Sequence, residues 1–516
     1  MRAGVVGRHG TVLALAAAAV ALRLPFLGAP EGADEGGYLA VARQWHGAGP
    51  SLYGHYWVDR PPLLIALFQV ASAFGGMPAV RVLGALAAGV AVLGVADAAR
   101  RVAGHRAAVW GAALAAALLA SPQLGTVQVN GELLAAPFVA WSVACWLRAL
   151  PQPLDSQPPG ELPAKRPGAA PAAFGAGVLA ACAVLVKQNM ADPIVFGTAS
   201  ALAAAWGTGA VHRSVVRRAA VGAAGGLVTG LVLVGTWTMI RGASLTSVFG
   251  AMYPFRVRAA VVLATLPDQG QAQRFGVFMD AWLSSGVLLV VGAFVWATVR
   301  RRVPEPVAWG LCALLVWAAA SVLLSGGFWD HYLVQLVVPV SVAGGLALGG
   351  TGSFRRRELG RLVPALAAAA VVLVALTHWA LAWGTKASDR GVGAGTAIAA
   401  VAAPGDTVVS LVGDAETVEA SGLMSPYPYL WTLPAQVDDP HLTRLIALLN
   451  GPGAPTWLVP WNRPSFPPPT RERLAAVVAA HYRAVGAVCG HPLLLRDGVT
   501  RGAPPAEPCD VRLARW

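Results

Sequence analysis

Residues 11–38 read TVLALAAAAVALRLPFLGAPEGADEGGY, an apolar run followed by a loop with two adjacent carboxylates, Asp34 and Glu35. At 1.5 Å per residue, a helix needs about 20 residues to cross roughly 30 Å of hydrocarbon, so the run is typical of a membrane span. A second charged point follows at Asp59 and Arg60. Because carboxylates beside a bilayer are costly, function is the first explanation to test for them.

The composition indicates a membrane protein. The chain has 516 residues, of which 56% are hydrophobic and 12% are charged. Soluble globular chains carry about 25% charged residues. The formal net charge of +13 then reflects membrane topology, and we predict no nucleic-acid partner.

Eleven apolar stretches are predicted to span the membrane, and 62–74 is a candidate twelfth. A cleavable signal peptide is the alternative interpretation of the first stretch. The eleven stretches are 11–27, 80–99, 107–124, 133–150, 172–186, 193–206, 219–240, 281–299, 307–324, 333–348 and 362–383.

Arginine and lysine predict the orientation of these spans, because they collect on the cytoplasmic side. With the N-terminus inside, alternation of the spans also places the basic turns around 100–106, 148–166, 213–218, 300–302 and 355–361 inside. We therefore expect a multi-pass protein of the cell membrane. Its N-terminus is predicted to be cytoplasmic, and its first loop and C-terminal region extracytoplasmic.

Two connections between spans stand out. Residues 151–171 are rich in proline and lack apolar periodicity, which predicts a flexible cytoplasmic loop. The outer loop over 241–278 holds Arg241, Arg256, Arg258 and Arg274, against the positive-inside trend. This exception indicates an anionic ligand on the outer side.

The sequence divides into a membrane domain over 1–384, with a catalytic first outer loop at 29–78, and a C-terminal domain over 385–516. Buried strands are predicted at 406–412 and 456–460, and helices at 443–449 and 471–485, which favours a small extracytoplasmic α/β domain. Cys489 and Cys509 lie in it, where an oxidising compartment would allow a disulfide. Spacing alone leaves that pairing open.

A short interfacial helix is predicted directly after the acidic pair. Tyr38, Val41, Ala42 and Trp45 recur at i, i+3, i+4 and i+7. The acids could simply cap this helix, since its exposed amides and dipole favour carboxylates. Capping leaves the later pair of Asp59 and Arg60 without an explanation.

These motifs together resemble the GT-C superfamily of membrane glycosyltransferases. The similarity rests on 34–38 (DEGGY), on 59–63 (DRPPL) before an apolar helix ending at 74–76 (FGG), and on 80–81 (VR). It points to the branch with protein O-mannosyltransferases and the aminoarabinose transferases of lipid A. Further along, Val186-Lys187-Gln188-Asn189 is similar to that branch's Thr-Lys-Gly-Pro element, and His331-Tyr332-Leu333 with Pro339 to its His-Tyr-Leu-Leu-Pro helix start.

The resemblance implies a polyprenyl-phosphate-sugar donor, an outward-facing site and inversion at the anomeric carbon. The sequence departs from the pattern at two points. Family members commonly carry Glu-Lys-Pro-Pro where this chain has Asp59-Arg60-Pro61-Pro62, and Gln188-Asn189 replaces Gly-Pro after the lysine. The first departure keeps both charges, whereas the second leaves the role of that turn in question.

The chemistry of glycosyl transfer assigns roles to these residues. We predict Asp34, Glu35 and Asp59 as the catalytic acids, with Asp34 as the general base that takes the proton of the acceptor hydroxyl. The leaving lipid phosphate needs positive charge. The candidates to bind it are Arg60, Lys187, Arg256, Arg258 and His331.

The same residues have structural explanations. Arg256 and Arg258 could contact lipid headgroups, Lys187 could snorkel to the interface, and His331 could be an interfacial anchor. Asn130 and Glu132, at the start of a span, are best explained as a helix cap, with acceptor binding as the alternative.

Metal use is left open by the sequence. Paired carboxylates such as Glu35 and Asp59 suit Mg²⁺ or Mn²⁺, but no single loop supplies a full set of oxygen ligands.

Two other function classes compete with the enzyme. A transporter or flippase of a lipid-linked glycan often shows internal repeats and charges in the middle of its spans, and we find neither a convincing repeat nor a charge at mid-span. A non-catalytic cell-envelope receptor would leave Asp34, Asp59 and Arg60 without a role. The sequence does not identify the acceptor. Mannose and arabinose are both compatible with the family-like donor. The Ala-, Gly- and Arg-rich composition is typical of a high-GC bacterium.

Overall fold

The computed structural model describes residues 2–150, 168–206, 210–265, 269–349, 359–411, 413–461 and 466–514. The predicted loop over 151–171 lies mostly outside these ranges, as does part of the basic turn at 355–361. The described helices and strands are, in chain order, α1 (Arg2–Ala21), α2 (Ala33–Gln44), α3 (Pro62–Ala73), α4 (Met77–Ala120), α5 (Gly131–Ala149), α6 (Ala169–Val186), α7 (Asp192–Ala205), α8 (Ala210–Ile240), α9 (Leu245–Met252), α10 (Pro254–Thr265), α11 (Gln269–Ser284), α12 (Val287–Val299), α13 (Glu305–Leu323), α14 (Val337–Gly349), α15 (Leu359–Leu381), β1 (Lys386–Ser388), α16 (Arg390–Ala399), β2 (Val408–Leu411), α17 (Glu416–Ser421), α18 (Thr432–Asp438), α19 (Thr443–Asn450), β3 (Trp457–Pro460), α20 (Pro468–His481), β4 (Tyr482–Val488), β5 (His491–Arg496) and β6 (Asp510–Arg512).

The chain forms two compact units, and each is assembled from separate segments. The membrane unit comprises Met1–Pro25, Val82–Gly235 and Arg274–Leu381. The loop unit comprises Phe26–Arg81, Thr236–Gln273 and Ala382–Trp516. The predicted boundary at 384 falls near the start of the last segment. The first loop and 236–273 nevertheless belong with the C-terminal region, so the units are not two consecutive domains.

The protein is a helical, multi-pass membrane protein. By length and composition, eight described helices could span a membrane, or nine if α11 and α12, which meet at a 48° bend, form one span. Two of the eleven predicted spans, 80–99 and 107–124, lie in α4 on either side of non-helical backbone at Ala103 and Gly104, so α4 consists of two helices that meet at this kink. Two others correspond to apolar helices shorter than 18 residues. Conversely, Leu245–Thr265 is long and apolar enough to span, although the sequence placed it in an outer loop.

Small residues allow close helix packing in the membrane unit. A Cβ atom on Gly177 of α6 would overlap the carbonyl oxygen of Ala223 in α8, and one on Gly226 would overlap the carbonyl oxygen of Phe174. Dispersion contacts between closely approaching backbones are a main stabilising term between helices in lipid. The Ala- and Gly-rich composition therefore serves helix association.

The C-terminal region of the loop unit is a small α/β fold, as predicted. Its four-stranded sheet has the order β2-β3-β5-β4, with β2 and β3 parallel and the other pairs antiparallel. The predicted helix over 471–485 is corrected: α20 ends at His481, because Tyr482 begins β4, which pairs with β5. Strands β1 and β6 form a separate antiparallel pair.

A disulfide joins Cys489 and Cys509, whose Cα atoms are 5.1 Å apart. Because it closes a loop of 20 residues, its removal is expected to lower the free energy of unfolding by about 3 kcal/mol. We expect a lower thermal unfolding midpoint for the wild type in dithiothreitol and for a Cys489→Ala/Cys509→Ala variant. The reductant should leave the variant unchanged, and an unaltered midpoint in the reduced wild type would contradict the expectation.

Candidate active site

The acidic pair lies in the first turn of α2. Its N-cap residue, Gly32, has extended backbone, and the Gly32 amide donates to Glu35 Oε2 at 3.2 Å. Glu35 therefore makes the capping contact, which carboxylates favour at a helix N-terminus. Asp34 is one residue closer to the helix start, and its side chain is 30% exposed.

Arg81, in the first turns of α4, pairs with Glu35. The Arg81 Nη2 and Glu35 Oε2 atoms are 2.6 Å apart, and the two side chains are 2% and 1% exposed. The guanidinium also donates to the carbonyl oxygens of Phe26 and Pro30, at 2.9 and 3.0 Å. Arg81 thus ties together the loop that leads from Phe26 to Asp34.

The two glycines after the acids let α2 pack on the C-terminal region. A Cβ on Gly36 would lie 2.6 Å from the Cα of Glu416, at the start of α17. A Cβ on Gly37 would overlap the indole of Trp431. The motif Asp-Glu-Gly-Gly therefore combines a helix start with a close helix contact inside the loop unit.

Asp34, Asp59 and Arg60 come together around Tyr38. Arg60 Nη1 lies 2.7 Å from Asp59 Oδ1, and Arg60 Nη2 lies 3.8 Å from Asp34 Oδ2. The Arg60 Nε donates to the Tyr38 hydroxyl at 2.6 Å. Burial raises the pKa of Tyr38 well above its usual value, with Arg60 lowering it and the hydrogen-bonded Asp34 raising it. The phenol therefore stays protonated and holds Asp34 and Arg60 side by side.

Two arginines of α10, Arg256 and Arg258, also pair with acids of the loop unit. Arg256, in α10, forms an ion pair with Asp59, whose side chain is only 10% exposed. Arg258 lies two residues on and pairs with Asp438 of α18 at 2.6 Å. Asp59 is thus held between two guanidiniums, whereas Arg258 contacts another part of the loop unit. We call Asp34, Tyr38, Asp59, Arg60 and Arg256 the acid–arginine group.

Lys187 and His331 belong to the membrane unit. Lys187 Nζ lies 3.0 Å from Glu132 Oε1, in a buried pair, and 5.4 Å from the centre of the Tyr332 ring. The His331 amide donates to Asp330 Oδ1 at 2.8 Å. The positive charge of Lys187 is therefore balanced by Glu132 within its own unit.

The start of α5 clarifies the predicted cap. The Asn130 Oδ1 accepts from the Leu133 amide at 2.9 Å, so the capping interpretation holds for Asn130. Glu132 is instead the partner of Lys187.

Exposure separates the three predicted catalytic acids. The Asp34 side chain is 30% exposed, against 10% for Asp59 and 1% for Glu35. Asp34 is therefore the most exposed of the three carboxylates. Among the described residues, no group of three or more His, Cys, Asp and Glu side chains is arranged to hold a metal ion. The surroundings of Glu35 and Asp59 are cationic instead.

Sequence reasoning missed a half-buried acid beside the site, Glu31. Burial raises the pKa of Glu31 to about 7, helped by the charges of Glu35, Glu419 and Asp389 and opposed by Arg81. Glu31 is only three residues from Asp34, so its position in the sequence was a signal. The acids that lie near it, Glu419 and Asp389, are more than 350 positions away in the chain. The sequence pattern indicates only an apolar helix position for Tyr38 and only a place in the family-like motif for Arg81.

Glu419 in α17 forms the other half of this feature. Burial raises its pKa to about 7, although Arg43 of α2, whose Nη1 is 2.7 Å from Glu419 Oε1, lowers it. Glu31 and Glu419 thus bring two acids that titrate near neutrality to the contact between α2 and the C-terminal region.

These two acids predict a pH-dependent stability. Between about pH 4.5 and 7 the folded state holds more protons on them than the unfolded state does, so the free energy of unfolding falls as the pH rises. We expect a Glu31→Gln/Glu419→Gln variant to show a smaller fall in thermal midpoint across this window. Glu472→Gln, at an exposed position, is the control. Equal slopes in the wild type and the double variant would contradict the prediction.

Apolar helices that could span a membrane, an acidic first loop and a C-terminal α/β fold together make up the architecture of this chain. No model of a known protein family matches the chain, and no curated protein does. Among solved structures, ArnT from Cupriavidus metallidurans bound to undecaprenyl phosphate is similar, with a TM-score of 0.59 and 16% identity over 94% of this chain and 98% of ArnT. Apo ArnT gives a TM-score of 0.53 with 15% identity over the same shares of the two chains.

An archaeal structure shares the fold as well. The oligosaccharyltransferase AglB from Archaeoglobus fulgidus, in complex with an inhibitory peptide and a dolichol-phosphate, gives a TM-score of 0.55 and 14% identity. The similarity covers 88% of this chain and 69% of AglB. The chain therefore shares the fold of ArnT and AglB over most of its length.

Proposed function

We propose that this protein is an integral membrane glycosyltransferase, which moves a sugar from a polyprenyl-phosphate-linked donor to an acceptor hydroxyl. The observation that carries the proposal is the acid–arginine group, in which the accessible Asp34 lies beside Arg60 while Arg256 shares Asp59 with it. The fold supports the donor class, since the ArnT and AglB structures hold undecaprenyl phosphate and dolichol-phosphate.

Asp34 acts as the general base in this proposal. The acceptor hydroxyl attacks the anomeric carbon as its proton passes to the Asp34 carboxylate, and the bond from that carbon to the phosphate oxygen breaks. A single displacement of this kind inverts the configuration at the anomeric carbon. The Tyr38 hydroxyl holds the carboxylate in place, because it contacts Asp34 and accepts from Arg60.

The arginines receive the leaving phosphate. Guanidinium groups offer bidentate hydrogen bonds to phosphate, and positive charge stabilises the leaving group as the bond breaks. Arg256 is 33% exposed and can contact a phosphate while it keeps its pair with Asp59, whereas Arg60, at 10% exposure, adds its positive charge from the other side of that carboxylate. Asp59 then positions the two cations, and Glu35 positions the loop through Arg81.

The other predicted cations have supporting places in the proposal. Arg258 is 56% exposed and remains a candidate for the donor phosphate or for lipid headgroups. Lys187 would contribute to phosphate binding with a charge that Glu132 already balances. His331, next to Tyr332, is a minor candidate for the same role. Mg²⁺ or Mn²⁺ at Glu35 and Asp59 would compete with the arginines that now occupy their oxygens.

The test is sugar transfer by purified protein in nanodiscs. A panel of labelled polyprenyl-phosphate sugars, including mannose and aminoarabinose, is offered with a cell-envelope extract as the source of acceptors, with and without EDTA. The proposal expects transfer from at least one donor, with inverted configuration in the product. It would be overturned if no donor is consumed while the protein carries lipid-linked sugar across proteoliposome membranes, which is the behaviour of a flippase.

A further inference from the structure

An apolar stripe is uncovered along α9 and α10. Its members are 45–69% exposed and recur at every fourth residue, which places them along one side of the two helices. The stripe consists of Leu245, Phe249, Tyr253, Val257 and Val261.

The other side of α10 is packed inside the loop unit. Phe255 and Ala259 are buried, and the ring of Phe255 lies 4.5 Å from that of Trp57 between centroids. Because 255 and 257 differ by about 200° around a helix of 3.6 residues per turn, the buried and exposed residues lie on opposite faces. This two-sided arrangement is that of an amphipathic helix.

Ion pairs indicate that this stretch does not cross the bilayer. Length and composition alone would allow Leu245–Thr265 to span. However, Arg256 pairs with Asp59 in the first loop, and Arg258 pairs with Asp438 of the C-terminal α/β fold. Charges near the middle of a span are costly, and these acids belong to polar segments outside the spans. The middle of the stretch therefore lies on the side of the C-terminal region.

The stripe begins next to a membrane boundary. α8, a candidate span, ends at Ile240, and both Met239 and Ile240 are exposed in its last turn. Four residues lie between Ile240 and Leu245, so their Cα atoms are at most about 18 Å apart. The stripe thus begins a few residues after the exposed apolar end of α8, and a row of uncovered apolar residues is expected to mark an interaction site.

We propose that α9 and α10 form an interfacial element whose apolar stripe binds the hydrocarbon boundary of the bilayer. The occupant is membrane lipid, and the element lies along the surface instead of crossing it. Its opposite side, with Phe255 and Ala259, packs inside the loop unit, and Arg256 pairs with Asp59 from a position about 100° around the helix from Val257. This interaction surface does not depend on which reaction the protein catalyses.

Depth measurement by spin labels tests the proposal on the full chain in nanodiscs of phosphatidylcholine and phosphatidylglycerol. Each stripe position is replaced singly by a labelled cysteine, in a background that retains the disulfide and carries alanine at the free cysteines Cys145, Cys182 and Cys312. Collision rates with oxygen and with a water-soluble nickel complex give the depth of each label. Leu233→Cys in α8 is the lipid reference, and Glu472→Cys is the water reference.

An interfacial element places all five labels at similar shallow depths, about 5–10 Å into the headgroup and acyl boundary. A span would instead shift the depth steadily, by about 24 Å over the 16 residues from 245 to 261 at 1.5 Å per residue. That gradient, water-like collision rates at every position, or exclusion of both reagents by a covering protein would each overturn the proposal.

A photo-crosslinking experiment avoids the cysteine background. Benzoylphenylalanine at Phe249 keeps an aromatic side chain and reacts with whatever lies against it. Crosslinks to phospholipid in the same nanodiscs are expected, whereas crosslinks to a second copy of the chain, or none under illumination, would contradict a lipid occupant.

Discussion

Asp34→Asn is expected to lower the rate of sugar transfer by about 10²–10⁴-fold, the usual contribution of a general base. The carboxamide has the shape of the carboxylate and still offers an oxygen to Tyr38, but it cannot take the acceptor proton. Because the arginines of the site remain, donor binding should be retained. The measurement is single-turnover transfer at saturating donor, alongside binding of labelled polyprenyl phosphate.

Matched controls separate loss of the base from loss of the fold. Asp497→Asn removes a carboxylate that is 52% exposed and paired with Arg483 at 3.4 Å, and it should leave transfer unchanged. Asp34→Glu keeps the acid while moving it by one methylene, so it should retain part of the activity. If Asp34→Asn transfers sugar at the wild-type rate, Asp34 is not the base, whatever the donor proves to be.

The general architecture could be predicted from the sequence because membrane helices and amphipathic helices leave strong local patterns. The apolar runs predicted a helical membrane protein, and the spacing of Tyr38, Val41, Ala42 and Trp45 predicted the helix found as α2. The predicted division between 80–99 and 107–124 corresponds to the non-helical backbone at Ala103 and Gly104. Hydropathy alone was a poorer guide at Leu245–Thr265, which has the composition of a span although Arg256 and Arg258 within it pair with acids of the loop unit.

The residues of the site could be found from sequence, but their partners could not. Asp34, Asp59 and Arg60 lie within 27 positions of each other, and their charges stand out in an apolar chain. By contrast, the Arg256–Asp59 pair links positions almost 200 residues apart. Nothing local distinguishes Asp34 from the neighbouring Glu35, yet one is accessible and the other is buried against Arg81. Tyr38 fitted the apolar helix pattern, which concealed its hydroxyl contacts.

Gly36 and Gly37 also have a role that the sequence alone did not reveal. Gly36 and Gly37 were read as part of a family-like motif, without a physical role for either. The loop unit gives them one, because a side chain at either position would collide with Glu416 or Trp431. Contacts with residues almost 400 positions away cannot be read from a local pattern, although the absence of side chains at two adjacent helix positions was a signal of close packing.

Arg81→Met is expected to lower the free energy of unfolding by about 3–5 kcal/mol, the usual cost of leaving one partner of a buried ion pair without its counter-charge. Glu35 is 1% exposed, so no water can replace the guanidinium, and the carbonyls of Phe26 and Pro30 lose their donor as well. We expect a clear fall in thermal midpoint in detergent or nanodiscs. Arg483→Met, which breaks a pair exposed on both sides, should cost less than about 1 kcal/mol.

A double variant distinguishes positioning from charge at this pair. Arg81→Met/Glu35→Leu removes both charges together, so it should recover much of the stability lost by Arg81→Met alone. If the pair mainly positions Asp34, the recovered protein should still bind donor but transfer sugar slowly, because the loop from Phe26 to Asp34 has lost the hydrogen bonds of Arg81. Full transfer by the double variant would contradict that role, since stability and charge would then be the only contributions of Arg81.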